Sequence, residues 1–295
     1  MKMTKKFRMI WLLMAVFMTV NVSAQQQPEA YRLYDNKGKS ISYEQLVKNL
    51  SKADVVFIGE IHNCVITHWM EQKLLESLYN VHGAQLKMGL EMFESDNQLI
   101  LNEYLQGQIT GERFEDEARL WPNYSTDYAG LIGFAREHHV PVVATNVPRR
   151  YATAVKNHGL AYLDSFSTEA KSYMAPLPIH FQSNENVEQG FALMGMMGKN
   201  KNADPHRIAE AQAIKDATMA WRIAQNLPGK LIHFNGNFHS DSREGIIPYL
   251  LTYKPGVRYV VVRAVRQEDI SHLDEAYQGI ADYYICVPED MTTSY

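Results

Sequence analysis

Apolar residues along this chain fall into short runs separated by stretches with helical spacing. Residues 54–58, 86–90, 140–144, 230–234, 257–264 and 282–287 each read as a strand. Residues 43–50, 96–105 and 128–139 read as helices, as does a segment ending near Tyr79 that carries Trp69, Leu74, Leu75 and Leu78 at helical intervals. Gly107 stops the helix before it, and residues 121–124, Trp-Pro-Asn-Tyr, form a loop. Strands alternating with helices predict βαβ units, hence an α/β fold with a mostly parallel central sheet flanked by helices. The rhythm breaks at about 149–226. That stretch is read as a helical insertion, or cap, over the carboxyl ends of the strands. It holds Met194, Met196 and Met197 among glycines, then a helix over 205–225.

Four of the strands stop at chemistry-bearing residues. Val55-Val56-Phe57-Ile58 runs into Gly59-Glu60-Ile61-His62, and the second strand runs into Glu91. The third delivers Asn146, with Arg149 and Arg150 close behind, and the fourth delivers Asn235, Asn237 and His239. In parallel α/β sheets ligands bind at the carboxyl ends of the strands, so these groups are expected on one rim. Two imidazoles and two carboxylates can hold a divalent metal or move protons. Each residue also has a plain structural role. Glu60 suits the start of the next helix, Asn63 suits its N-cap, and Gly59 and Gly236 suit tight turns. His233, inside its strand, reads as a satisfied core histidine. His68 lies along the helix after His62 and is placed to reach the rim. Gln212, Asp216 and Arg222 read either as a solvated helix face or as groups closing the site.

Composition narrows the setting. Lys2, Lys5, Lys6 and Arg8 precede the apolar run 9–20, and Val22-Ser23-Ala24 is suited to signal peptidase. Residues 1–24 are therefore expected to be a secretory signal peptide, since the run is short for a membrane span of ~20 residues. No Cys follows the run, which argues against a lipid anchor. Losing those four basic residues takes the net charge from −4 to −8, which argues against nucleic acid as a partner. Cys64 and Cys286 are too few for a disulfide framework; export allows a single bridge between them, and small buried free thiols are the other reading. No His-Glu-x-x-His, phosphate-binding loop, Gly-x-Ser-x-Gly or Cys-x-x-Cys-His occurs.

Five blocks together resemble the ChaN-type haem-binding uptake family of the Tiki superfamily. They are Gly59-Glu60-Ile61-His62, Gly89-Leu90-Glu91-Met92-Phe93, Asn146-Val147-Pro148-Arg149, the block Ala-Gln-Ala-Ile-Lys-Asp-Ala-Thr-Met-Ala at 211–220, and Asn235-Gly236-Asn237-Phe238-His239-Ser240-Asp241. They occur in the family's order over about 54–286, and the erythromycin-esterase-like proteins are more distant relatives. The resemblance implies that 25–295 is one ChaN-like domain with its insertion at about 149–226. It implies an exported, periplasmic or envelope protein that binds haem, serves iron uptake, and meets envelope haem-transport partners. It also implies a homodimer with haem between subunits as one arrangement. Many members are lipoproteins, and this chain lacks their Cys. Haem needs an axial ligand and partners for two propionates. Tyr151 is the first tyrosine candidate, with Arg149 and Arg150 for the propionates, His62 and His239 as competing ligands, and Asn146 and Asn235 beside them. Tiki relatives are described as metal-dependent proteases, so the alternative is a hydrolase of peptides or esters. It would use Glu60, His62, Glu91 and His239, with His62, Glu91 and His239 on a divalent metal.

Overall fold

The strands are β1 Arg32–Asp35, β2 Val55–Glu60, β3 Leu86–Glu94, β4 Val142–Asn146, β5 Lys230–Gly236, β6 Tyr259–Gln267 and β7 Tyr283–Pro288. They form a single sheet in the order β1-β7-β6-β2-β5-β3-β4. Every pairing is parallel except β1 with β7. The expected α/β class and mostly parallel sheet are therefore present. The structure, a computed structural model, describes residues 29–181 and 204–295. The expected signal peptide and Met194, Met196 and Met197 lie outside the described residues.

Helices pack on both faces. They are α1 Tyr43–Leu50, α2 Val65–His82, α3 Gln98–Leu105, α4 Gly111–Glu117, α5 Ala129–Glu137, α6 Arg149–His158, α7 Thr168–Lys171, α8 Pro205–Gln225 and α9 Ile246–Tyr253. The pleat sorts β2 cleanly, because successive strand side chains point to opposite faces. Val56 and Ile58 join the core under α1, α2 and α5, while Val55 and Phe57 join the core under α8 and α9. The N-terminal half of α8 packs instead with α6 in a third apolar cluster around Tyr151, Met174 and Ile214. Among the described residues, no helix is long and apolar enough to cross a membrane.

Several boundaries differ from the sequence reading. β2 continues through Gly59 to Glu60, and β3 continues four residues past Leu90, with its register against β4 shifting between Leu90 and Glu94. Glu60 is thus the last residue of β2, and Glu91 lies within β3, three residues before its end, rather than in the following turns. The first residue of α2 is Val65, with Cys64 as an N-cap that makes no side-chain capping bond. Asn63 is not the cap. β1 has no counterpart in the sequence reading. It is four residues long and pairs with β7 some 250 positions away, so no local pattern announces it. Cys64 and Cys286 are both free and buried.

Candidate functional site at the carboxyl edge

Sheet order brings the strand ends together. β5 lies between β2 and β3, with Glu60 paired to Gly236. The segment after β2, the segment after β5 and the end of β3 are therefore immediate neighbours. The parity of the pleat then divides their side chains. Glu60 follows Val56 and Ile58 onto the α2 face. Glu91 follows Gly89 toward α8, opposite Leu90 and Met88. The expected rim exists, and its side chains fall into two hydrogen-bonded groups that approach each other at Gly236, where a Cβ would stand 2.8 Å from His62 Nε2 and 3.7 Å from Glu91 Oε2.

On the α2 face, Tyr128 donates its hydroxyl to Glu60 Oε1 at 2.7 Å, and His62 Nδ1 lies 2.6 Å from the same oxygen. Burial opposes the charge on Glu60, yet hydrogen bonds from His62 and then Glu71 hold its pKa below the ordinary carboxylate value. Burial also works against a charged His62, but Glu60 overrides it and raises the imidazole. Tyr128 is pushed up by burial first and by Glu60 second. His68 lies beneath, 3.1 Å from Glu71 Oε2 through Nδ1 and 3.0 Å from the His62 carbonyl oxygen through Nε2. Burial, with the charge of Glu60, holds Glu71 well above the ordinary carboxylate range. Asn123 donates to Asp127 at 2.7 Å, and Ser294 Oγ reaches the same carboxylate at 2.9 Å. The Ser294 amide donates to the Asn63 carbonyl, so the last described residues strap the start of α2.

On the α8 face, His239 sits between two carboxylates. Its Nδ1 is 2.5 Å from Asp216 Oδ1 and its Nε2 is 3.2 Å from Glu91 Oε1. Burial disfavours the imidazolium, but Glu91 and Asp216 outweigh it and raise His239 to about 10. Glu91 in turn is desolvated, yet His239 and the Gly236 amide, which donates at 2.7 Å, lower it to about 2. With both nitrogens facing carboxylates, His239 binds a metal only by giving up a proton. The Asp216 expectation is thus met by a contact: it reaches His239 from α8. Arg222 instead ties α8 to β4 and α3 through the Ala144 carbonyl and Gln98. The Gln212 side-chain oxygen has no partner among the described residues.

His62 is placed differently. Its side chain is 39% exposed, its ring meets Trp121 edge-on at 5.1 Å, and Nε2 makes no hydrogen bond among the described residues. Gly236 makes room for it, since a Cβ there would stand 2.8 Å from His62 Nε2. Phe238, 44% exposed, packs edge-on against His239 with ring centroids 5.8 Å apart. The remaining candidates divide by what they already hold. Asn235 is buried and holds the turn through His233, the Gly236 carbonyl and Ser240. Asn146 is buried, and its side-chain oxygen lacks a partner among the described residues. Arg150 bonds Asp96 at 2.5 Å and Tyr151 Oη at 3.2 Å, and Arg119 pairs with the same Asp96. Tyr151 is buried and packs edge-on to Phe166. Arg149 is exposed and has no ion pair among the described residues. His233 is a core histidine as expected, bonded to Thr145 and Asn235 and pushed down to about 4 by burial.

Sequence reasoning misses two of these partners. It reads Tyr128 only as the start of a helix and does not single out Glu71. Their signals are modest: Glu71 is three residues after His68 on one helix face, and Tyr128 stands four residues past the tyrosine of the Trp-Pro-Asn-Tyr loop, one helical turn on. A separate polar hollow near Asp35, Lys39 and Gln45 lies at the β1 edge and touches none of these residues.

Comparison with known proteins agrees with this architecture. A ChaN of Campylobacter jejuni, whose structure is described as cofacial haem binding, shares 19% identity over 86% of this chain and 96% of that one, with a TM-score of 0.67. That likeness shows the fold. An erythromycin esterase mutant in its open conformation shares 12% identity over 88% of this chain and 83% of that one, at a TM-score of 0.46, too low to carry an argument. Protein RETICULATA-RELATED 5, chloroplastic, of Arabidopsis thaliana is 25% identical over 189 residues, 60% of this chain. The match spans about a quarter of that curated relative's length. The five sequence blocks, the sheet order that gathers their strand ends, and a match over residues 46–250 to the family described as "Haem-binding uptake, Tiki superfamily, ChaN" together show that this chain belongs to that haem-binding family.

Proposed function

We propose that this protein binds haem at the carboxyl edge of β2 and β5, with His62 as the axial donor, and that it serves haem or iron acquisition outside the cytoplasm. The supporting observation is the state of His62. Glu60 takes its Nδ1 side and fixes the ring, while Nε2 stays unpartnered among the described residues on a partly exposed face. A carboxylate that orients an imidazole through one nitrogen leaves the other prepared for a metal. Bound haem supplies an iron that accepts such a donor. The chain's own residues fit it: Trp121 and Phe238 offer aromatic surface, and Arg149 is free of ion pairs among the described residues to meet a propionate. Arg150 is already committed to Asp96, so its first role is to hold α6 against the end of β3.

The C. jejuni relative's cofacial arrangement makes a homodimer the natural extension, with a second copy covering the exposed aromatic face. Export by residues 1–24 and delivery to envelope transport partners belong to the same proposal. Ferric haem titration of the purified protein tests it. A saturable Soret shift at one haem per chain, kept in His239→Ala and lost in His62→Ala, is expected. A shift kept in His62→Ala but lost in Tyr151→Phe moves the ligand to the phenolate, and no saturable shift ends the reading.

A further inference from the structure

We propose that Glu60, His68 and Glu71 form a buried site for a divalent transition-metal cation beneath the haem edge, independent of haem. Among the described residues, these three offer ligand atoms that all lie within 4.8 Å of one another. His68 Nδ1 is 3.1 Å from Glu71 Oε2 and 3.8 Å from Glu60 Oε2. Donors on a metal at ~2.1 Å stand roughly 3.0–3.4 Å apart in octahedral or tetrahedral geometry, so small movements close the set.

The hydrogen bonding points the same way. Tyr128 and His62 both bond Glu60 Oε1, and the Glu71 carboxyl hydrogen-bonds Glu60 in turn. Both side chains are 0% exposed, so the two carboxyl groups meet away from water. Two buried carboxyl groups that share a proton can exchange it for a cation, because metal ligands bind deprotonated. His68 Nε2 faces two acceptors, the His62 carbonyl at 3.0 Å and Asp127 Oδ2 at 3.5 Å. That end carries a proton, and Nδ1 faces the Glu71 carboxyl at 3.1 Å, so a cation between them takes the place of the proton they share. Metal-bound imidazoles are commonly held in this way, by a carbonyl or carboxylate on the far nitrogen. One nitrogen and two carboxylate donors suit zinc, manganese or ferrous iron better than calcium, which takes six to eight oxygens. The sequence supports the placement, because His68 and Glu71 stand three apart on one face of α2 and Glu60 ends the strand that α2 covers.

The test uses haem-free, full-length protein equilibrated with zinc or manganese chloride and then desalted. Elemental analysis is expected to find about one cation per chain, and the melting temperature should rise with the cation and fall back with chelator. Glu71→Gln is expected to weaken binding at least tenfold, while Glu91→Gln keeps it. Because Glu71→Gln removes a buried group, circular dichroism confirms its fold, and His68→Gln serves as the second variant. No stoichiometric cation, with a melting temperature unmoved by metal or chelator, would overturn the proposal and leave a proton-sharing network. Loss of binding in Glu91→Gln but not in Glu71→Gln would also overturn it, by moving the metal to the α8 face. Haem titration is read separately, so failure of the haem reading leaves this result intact.

Discussion

Replacing Glu91 with Gln removes one of the two carboxylates that hold His239 charged inside the protein. Raising His239 from 6.5 to about 10 corresponds to about 5 kcal/mol at ~1.36 kcal/mol per pH unit. The lowering of Glu91 to about 2 is the same interaction seen from its partner, so it is counted once. Glu91 and Asp216 share the effect, with Glu91 the larger charge contribution. A penalty of about 3 kcal/mol follows, within the usual range for breaking a buried ion pair. The pH dependence fixes the origin. A raised histidine contributes fully below 6.5 and loses its contribution as pH rises through about 10. A lowered glutamate contributes fully above 4.5 and loses its contribution as pH falls through about 2. The difference between wild type and Glu91→Gln should therefore peak between 4.5 and 6.5 and shrink to less than about 1 kcal/mol near pH 9.5. Urea unfolding of both proteins at about pH 5.5 and 9.5 measures it. A penalty that is equal at both values, or larger at the alkaline one, refutes a charged His239.

Other outcomes follow from single contacts. Gly236→Ala places a Cβ 2.8 Å from His62 Nε2; displacing that ring should weaken haem binding roughly tenfold, about 1.4 kcal/mol, with little change in fold. Arg149→Ala should weaken haem binding by about 1.5 kcal/mol or more, reduced at high salt, because it removes a charge-assisted partner for a propionate. Arg150→Ala should act on stability instead, measured as a lower urea midpoint, since Arg150 bridges α6 to Asp96. Phe57→Ala, at a fully buried β2 position, should cost about 3–5 kcal/mol of unfolding free energy.

The strand ends are legible because buried strands cannot easily carry charge, so Glu60, Glu91 and His239 stand out against their apolar runs. Their division between two faces is legible in principle. Glu60 is two residues past Ile58, on the same pleat face, whereas Glu91 is one past Leu90, on the opposite face. Reading both as turn residues hides that parity. Long-range partners are harder. β1 depends on β7, and Tyr128 reaches Glu60 only through tertiary packing. Asp216 is visible as a polar residue on an apolar helix, but its neighbour His239 follows from sheet order, which no local pattern encodes.

Hydrogen exchange with and without ferric haem locates the surface that haem covers. New amide protection is expected near Glu60–Asn63, Trp121–Tyr128 and Gly236–His239 at the carboxyl edge, and at the start of α6 where Arg149 meets a propionate. Protection at the β1 hollow near Asp35 and Gln45, or no protected segment at saturating haem, contradicts that placement.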